Sequence, residues 1–158
     1  MSGSRRGRSE RGAALVEFAL LAPLIFALLM GMFTGGMSLS RKNSMTNAIR
    51  EGARFGSTLT EDVSWAANVQ ARVAALAGGD LAASQVCVVL VKKGTSSDSV
   101  RQSAGSGCGT EPSTAGIPVG ECAVKVWSQR QSDLEVIFFS RTLTLQAGAV
   151  SRYERDCT

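Results

Sequence analysis

The sequence predicts an α+β fold: a long N-terminal helix of transmembrane character, a second helix, and a small antiparallel β-sheet head. Three observations carry that expectation. Phe18 to Ser40 is a run of 23 residues without a charge, and about 20 apolar helical residues cross the ~30 Å hydrocarbon layer of a bilayer. Helical spacing of apolar and small residues continues past that run and resumes after residue 64. From Gln85 onward the pattern turns β-rich, and all four cysteines follow the apolar run.

Residues 1–12 read as a short basic leader, with Arg5, Arg6, Arg8 and Arg11 against Glu10 and Met1 as the one apolar side chain. Such a segment has no reason to fold. Its charge of +3 accounts for most of the chain's +4, so the basic balance belongs to targeting and no nucleic-acid partner is expected.

The apolar helix opens at Ala13, after Gly12, and holds one acid, Glu17, followed by Phe18. An ionised carboxylate in lipid is unfavourable by several kcal/mol unless it has a partner. Two readings stay open: Glu17 meets a cation from another chain, or it snorkels to the headgroups beside Arg11. Pro23 removes one backbone hydrogen bond and crowds the carbonyl of Ala19, so a kink or local loosening is expected there. Gly31 and Gly35, with Gly36 beside them, form a GxxxG pair that permits close helix approach.

Counting basic residues favours a cytoplasmic leader by a narrow margin, because Arg41, Lys42, Arg50 and Arg54 against Glu51 place another +3 beyond the helix. The cysteines add support. Cys87, Cys108, Cys122 and Cys157 form an even set in a small domain, which reads as two disulfides in an oxidising compartment and hence a translocated C-terminal part. A secretory signal with cleavage near Thr34, Gly35 and Gly36 is the competing reading. Against it, the apolar run exceeds the usual 7–15 residues of such signals, and no A-x-A pattern follows.

Met45, Ala48, Ile49, Gly52, Ala53 and Gly56 follow the i, i+3, i+4, i+7 rule, with Arg50 and Arg54 on another face. One helix from Ala13 to about Gly56, on the order of 65 Å long, is expected. Thr58 and Glu61 stand in capping-box spacing before a second helix with Trp65, Val69, Val73 and Leu76 on one stripe and Gly78-Gly79 as terminator. Gln85 to Val91 reads as a buried strand. Gly94 to Gly120 is so rich in Gly, Ser, Thr and Pro that a flexible loop, tethered through Cys108, is expected.

Cys122 to Trp127 alternates as a half-buried strand should, and Leu134–Phe139, Arg141–Gln146 and Ala147–Glu154 look like one or two more. If Cys87 and Cys122 point to the same core they meet across the sheet, leaving Cys108 with Cys157. Four cysteines allow three pairings, and the sequence does not choose among them.

The N-terminal residues resemble a known family. Gly12, Ala13-Ala14-Leu15-Val16, Glu17-Phe18 and Ala19 to Leu24 are similar to the start of TadE-like (TadE/TadG) minor pilins, or pseudopilins, of the tight-adherence (Flp, type IV-like) pilus system. The stretch Arg50-Glu51-Gly52-Ala53-Arg54-Phe55-Gly56 resembles the family's AREGAR-like segment, and residues 142–154, TLTLQAGAVSRYE, resemble its closing strand. The resemblance implies a leader, 1–12, cut by a prepilin peptidase after Gly12. It further implies a mature pilin-like helix, 13–56, in which Glu17 pairs with the freed amino group of a neighbouring subunit's Ala13, and an extracytoplasmic head, 57–158. The implied partners are the peptidase, other pilin subunits, the pilus assembly machinery and cytoplasmic membrane lipid. The implied location is the cytoplasmic (inner) membrane, single-pass, with the pilus or cell surface as destination.

An enzyme is not expected. Without a histidine anywhere, Ser-His-Asp and Cys-His nucleophile systems and His-ligated metals are excluded, no phosphate-cradling glycine motif precedes a helix, and no cofactor or metal is expected. The alternative to a pilus subunit is a signal-anchored or secreted binding or adhesion domain, and the position of N-terminal cleavage separates these readings.

Overall fold

The computed structural model describes residues 6–136 and 139–157, with side chains for 12–133 and 141–157. Residues 1–5 of the expected leader and Ile137–Phe138 of an expected strand lie outside that description.

Helix α1 runs Arg6–Thr58, 53 residues, about 80 Å at 1.5 Å per residue. The expectation of an unfolded leader is corrected from Arg6 onward. No proline stands between Arg6 and Ala13, and the adjoining apolar segment supplies the nucleus that a short isolated helix lacks, which offsets the low helix propensity of Gly7 and Gly12. The helix is continuous through Pro23. It stops where Ser57 Oγ and Thr58 Oγ1 turn back to donate to the carbonyls of Arg54 (2.7 Å) and Phe55 (2.9 Å).

Helix α2 is Trp65–Leu76. Its start differs from the expected capping box. Thr58 still belongs to α1, Glu61 pairs with Arg101 at 3.0 Å, and the turn before α2 is made by Asp62, which accepts from Ser64 N (2.8 Å) and Ser64 Oγ (2.7 Å). Those two bonds hold the Asp62 carboxyl below its ordinary value. Trp65, Val69 and Val73 are buried as the stripe predicts, and Leu76 is exposed at the end. Gly78 (φ 63°) and Gly79 (φ 88°) close the helix in the left-handed region.

The sheet is antiparallel, ordered β2-β1-β3-β4, from β1 (Val86–Lys92), β2 (Ser99–Ala104), β3 (Cys122–Val136) and β4 (Phe139–Arg152). Two expectations are corrected here. The segment 94–120 is not a loop throughout, since β2 lies inside it and pairs with β1. Four of its six residues are polar and most are exposed, Val100 included, so an edge strand held by backbone bonds left too little apolar alternation to read. The expected late strands merge with the end of β3 into one long hairpin, paired from Ala123↔Arg152 to Val136↔Phe139.

On one sheet face, α1 and α2 bury Ile49, Val69, Val73, Val88, Leu90, Val124 and Val126. On the other, Cys87, Val89, Val91, Ala123 and Trp127 pack with Cys108 and Ile117 from the 105–121 segment. The start of β3 is therefore buried on both faces, not on one.

The expected cysteine pairing is also corrected. Cys87 is bonded to Cys108 (Cα–Cα 5.9 Å) and Cys122 to Cys157 (6.0 Å). In the β1–β3 register Cys87 lies opposite Trp127 and Cys122 opposite Lys92, which puts the two cysteines at opposite ends of the ladder. They also belong to different cores on opposite faces.

Candidate functional site

Among the described residues, the first half of α1 is left exposed along its length. The apolar window of this helix has none of its residues buried, and it is long and apolar enough to cross a membrane. Leu15, Phe18, Leu20, Phe26 and Phe33 are each at least 60% exposed. A helix that is apolar around its circumference is stable only in lipid or against other apolar surfaces, so this segment is built for an environment that the chain itself does not supply.

Glu17 lies within that surface and is exposed, and among the described residues no cation comes within ion-pair distance of it. Gly12 and Ala13 lie inside α1, and Gly12 has open space around it. Pro23 and Phe18 face outward.

The helix carries glycines of two kinds. At Gly31, Gly35 and Gly36 an added Cβ would meet nothing within 4 Å. Gly52 and Gly56 are filled from outside: a Cβ at Gly52 would overlap Val73, and one at Gly56 would lie 3.0 Å from Val69 Cγ2 and 3.1 Å from Val124 Cγ1. The indole of Trp65 donates to the Gly56 carbonyl at 2.9 Å. Met45, Ala48, Ile49 and Ala53 complete the buried stripe, and Arg50 and Arg54 stay exposed. Thus the expected small-residue face of 45–56 is the contact between helix and head, while the GxxxG face is open among the described residues.

The C-terminal tail closes on that contact. Glu154 N donates to Ser57 O (3.0 Å), Tyr153 Oη to Leu59 O (2.8 Å) and Arg155 Nε to Thr58 O (2.7 Å), so the tail is tied to the end of α1. Burial pushes the Tyr153 hydroxyl up from its ordinary value.

Sequence reasoning missed the charged cluster beneath the 105–121 segment. Lys125, 6% exposed, reaches Glu111 (2.7 Å) and Asp98 (3.5 Å), and Lys93 reaches Asp98 (3.3 Å). Thr114 Oγ1 donates to Asp98 at 2.7 Å. That hydroxyl, with the two ammonium groups, holds the Asp98 carboxyl below its ordinary value despite burial. The signal was present in β1, where Cys87, Val89 and Val91 alternate with Val86, Val88 and Leu90 so that both faces are apolar and each requires a cover.

Residues 12–54 match the family model described as TadE-like protein. The matched span holds Gly12, Glu17 and most of the helix–head contact, from Met45 to Ala53, and it ends before the second helix and the sheet. No curated protein and no solved structure matches the chain.

Proposed function

We propose, from the premise that residues 12–54 are a TadE-like segment, that this chain is a minor pilin, a pseudopilin-like structural subunit for assembly of a tight-adherence pilus. The observation that supports the reading is the division of α1: one half is unpartnered and apolar, the other is the spine of an α+β head. A subunit of a helix-cored fibre needs both.

The leader keeps the precursor's N-terminus on the cytoplasmic side, and a prepilin peptidase cuts between Gly12 and Ala13. A protease needs an extended substrate, and glycine at the cut makes local unwinding of α1 easier by about 1 kcal/mol relative to alanine. Cleavage creates an α-amino group at Ala13, and the corresponding group of a neighbouring subunit pairs with Glu17. That ion pair sets the register between subunits. Exposed residues such as Leu20 and Phe26 supply most of the packing area, and Gly31 and Gly35 allow close approach of a second helix. Pro23 leaves one unpaired carbonyl at which the helix can adapt. The working partners are the peptidase, other pilin subunits, the assembly machinery and, before assembly, the lipid of the cytoplasmic membrane, with the disulfide-bonded head outside.

The deciding experiment is the intact mass or N-terminal sequence of the mature protein from its native host. A start at Ala13 is expected. A start at Met1 overturns the reading in favour of a signal-anchored surface domain, and a start near Met37 in favour of a secreted one.

A further inference from the structure

We propose that the groove between α1 and the C-terminal end of α2 is a docking notch for a basic side chain, Arg54, of a second copy of this chain. The inference rests on the reading of the chain as a subunit whose α1 packs beside other copies.

The notch is lined by Ser44, Asn47, Ala48 and Glu51 of α1 and by Leu76 of α2, and its volume is about 330 Å³. Ser44, Asn47 and Glu51 follow the i, i+3, i+7 spacing that sets side chains along one helix face. Ala48 beneath them is 2% exposed, and Leu76 across from them is 38% exposed. One wall is therefore polar, with a hydroxyl, an amide and a carboxylate, while the floor and the other wall are apolar. Among the described residues, no cation pairs with Glu51. A carboxylate beside neutral acceptors and an apolar shelf is the complement of a cation on a long apolar stem, and a guanidinium has donors enough for all three polar groups.

The complement stands on the same helix. Arg50 and Arg54 are exposed, and neither has an acidic partner among the described residues. At 100° per residue they lie roughly a quarter turn around α1 from the notch, on the side turned away from the buried stripe of Met45, Ala48, Ile49 and Ala53. A copy therefore cannot fill its own notch with Arg54, but a neighbouring copy can.

The levels agree. When Glu17 of one subunit meets the freed amino group of Ala13 on the next, the two helices are offset by four residues, about 6 Å. That offset sets Arg54 of the first subunit level with residue 50 of the second, between Asn47 and Glu51. Without such a pairing, the excess of arginine over acid on 44–54 would set like charges against each other as copies approach. Because notch and arginine occupy different faces, the contact is heterologous. Each copy gives on one side and receives on the other, which propagates an open helical array and does not close a dimer.

The test is zero-length cross-linking in sheared pili. The native chain is coexpressed with a variant carrying Glu51→Gln and Arg54→Lys, so that an amide from Glu51 to the amine at position 54 can form only between copies when carbodiimide is added. Peptide mapping should find that amide. Pili that contain both chains and lack it overturn the inference and leave the subunit reading intact, as does a link from Glu51 to Lys42, which would assign the notch to another cation. Absence of the chain from pili overturns both. As a second arm, Glu51→Arg or Arg54→Glu alone should lower incorporation by about tenfold or more, with cleavage after Gly12 unchanged, and the two together in one chain should restore it. Full incorporation of either single variant, or no recovery in the double variant, overturns the pairing.

Discussion

Gly52→Ala tests the contact on which the pilin-like plan depends. A methyl at Gly52 would overlap Cγ2 of Val73, with Val73 Cβ at 3.6 Å and Val126 Cγ1 at 4.0 Å. Replacing a helical glycine by alanine favours the helix by about 1 kcal/mol, and overpacking a core costs about 1–3 kcal/mol. Val73 is fully buried and β-branched, with one strongly preferred rotamer in a helix. It cannot turn aside, so the upper half of that range applies and the net loss is about 1–2 kcal/mol. For a head of this size about 1 kcal/mol shifts Tm by about 4–8 °C, so the variant should melt roughly 5–15 °C lower, read from the near-ultraviolet signal of Trp65 in detergent. Val73→Ala alone leaves a cavity at a cost of about 2 kcal/mol. In the double variant the new methyl occupies part of that space, and the two losses should fall short of additive by about 1 kcal/mol. An unchanged or raised Tm for Gly52→Ala, or strict additivity in the double variant, would refute the close-packing argument.

Other expectations are as direct. Glu17→Ala should be processed at Gly12 yet fail to enter pili; normal incorporation by immunogold or sheared-pilus blots removes the role given to Glu17. Gly12→Leu should leave the leader attached, visible as an unaltered precursor mass. A nonreducing peptide map should link Cys87 to Cys108 and Cys122 to Cys157, and loss of either bond should destabilise the head by about 3–4 kcal/mol in the chain-entropy account; a Cys87–Cys122 peptide contradicts the register. Because the folded carboxyl of Asp98 titrates below its unfolded value, the stability it contributes is present above the unfolded pKa and is lost as pH falls through the folded one. Asp98→Asn should therefore be less stable than the parent at neutral pH and converge with it in acid, and a gap that persists at pH ~2, below the ordinary carboxylate range, counts against that assignment.

Much of the architecture is legible because its signals are local. The uncharged run after Glu17, the stripe from Met45 to Gly56 and the Gly78-Gly79 stop each depend on residues a turn apart. What escaped was set by partners distant in sequence. Ser99–Ala104 is a strand because β1 offers its edge, not because of its own composition. Cys87 and Cys122 look equivalent by alternation, but the register sends them to opposite faces, and only the pairing Val91↔Ala123 decides that. Lys125 reads as solvent-facing until Asp98 and Glu111 are brought over it. For the candidate site the residues Gly12 and Glu17 came from a motif, while the contrast between open and filled glycines required the head to be in place.

The ties at the end of α1 determine how the molecule carries tension. A pull along the helix against the head need not travel through the connection from Leu59 to Ser64, because the tail bridges the same gap: Glu154, Tyr153 and Arg155 grip the last carbonyls of α1 and the residue beyond, and Cys157 is bolted to Cys122 at the root of β3. The load then enters the sheet along the axis of β3 and β4, where a long antiparallel ladder resists in shear with many hydrogen bonds at once. A head joined in this way behaves as a rigid end-fitting on a rod.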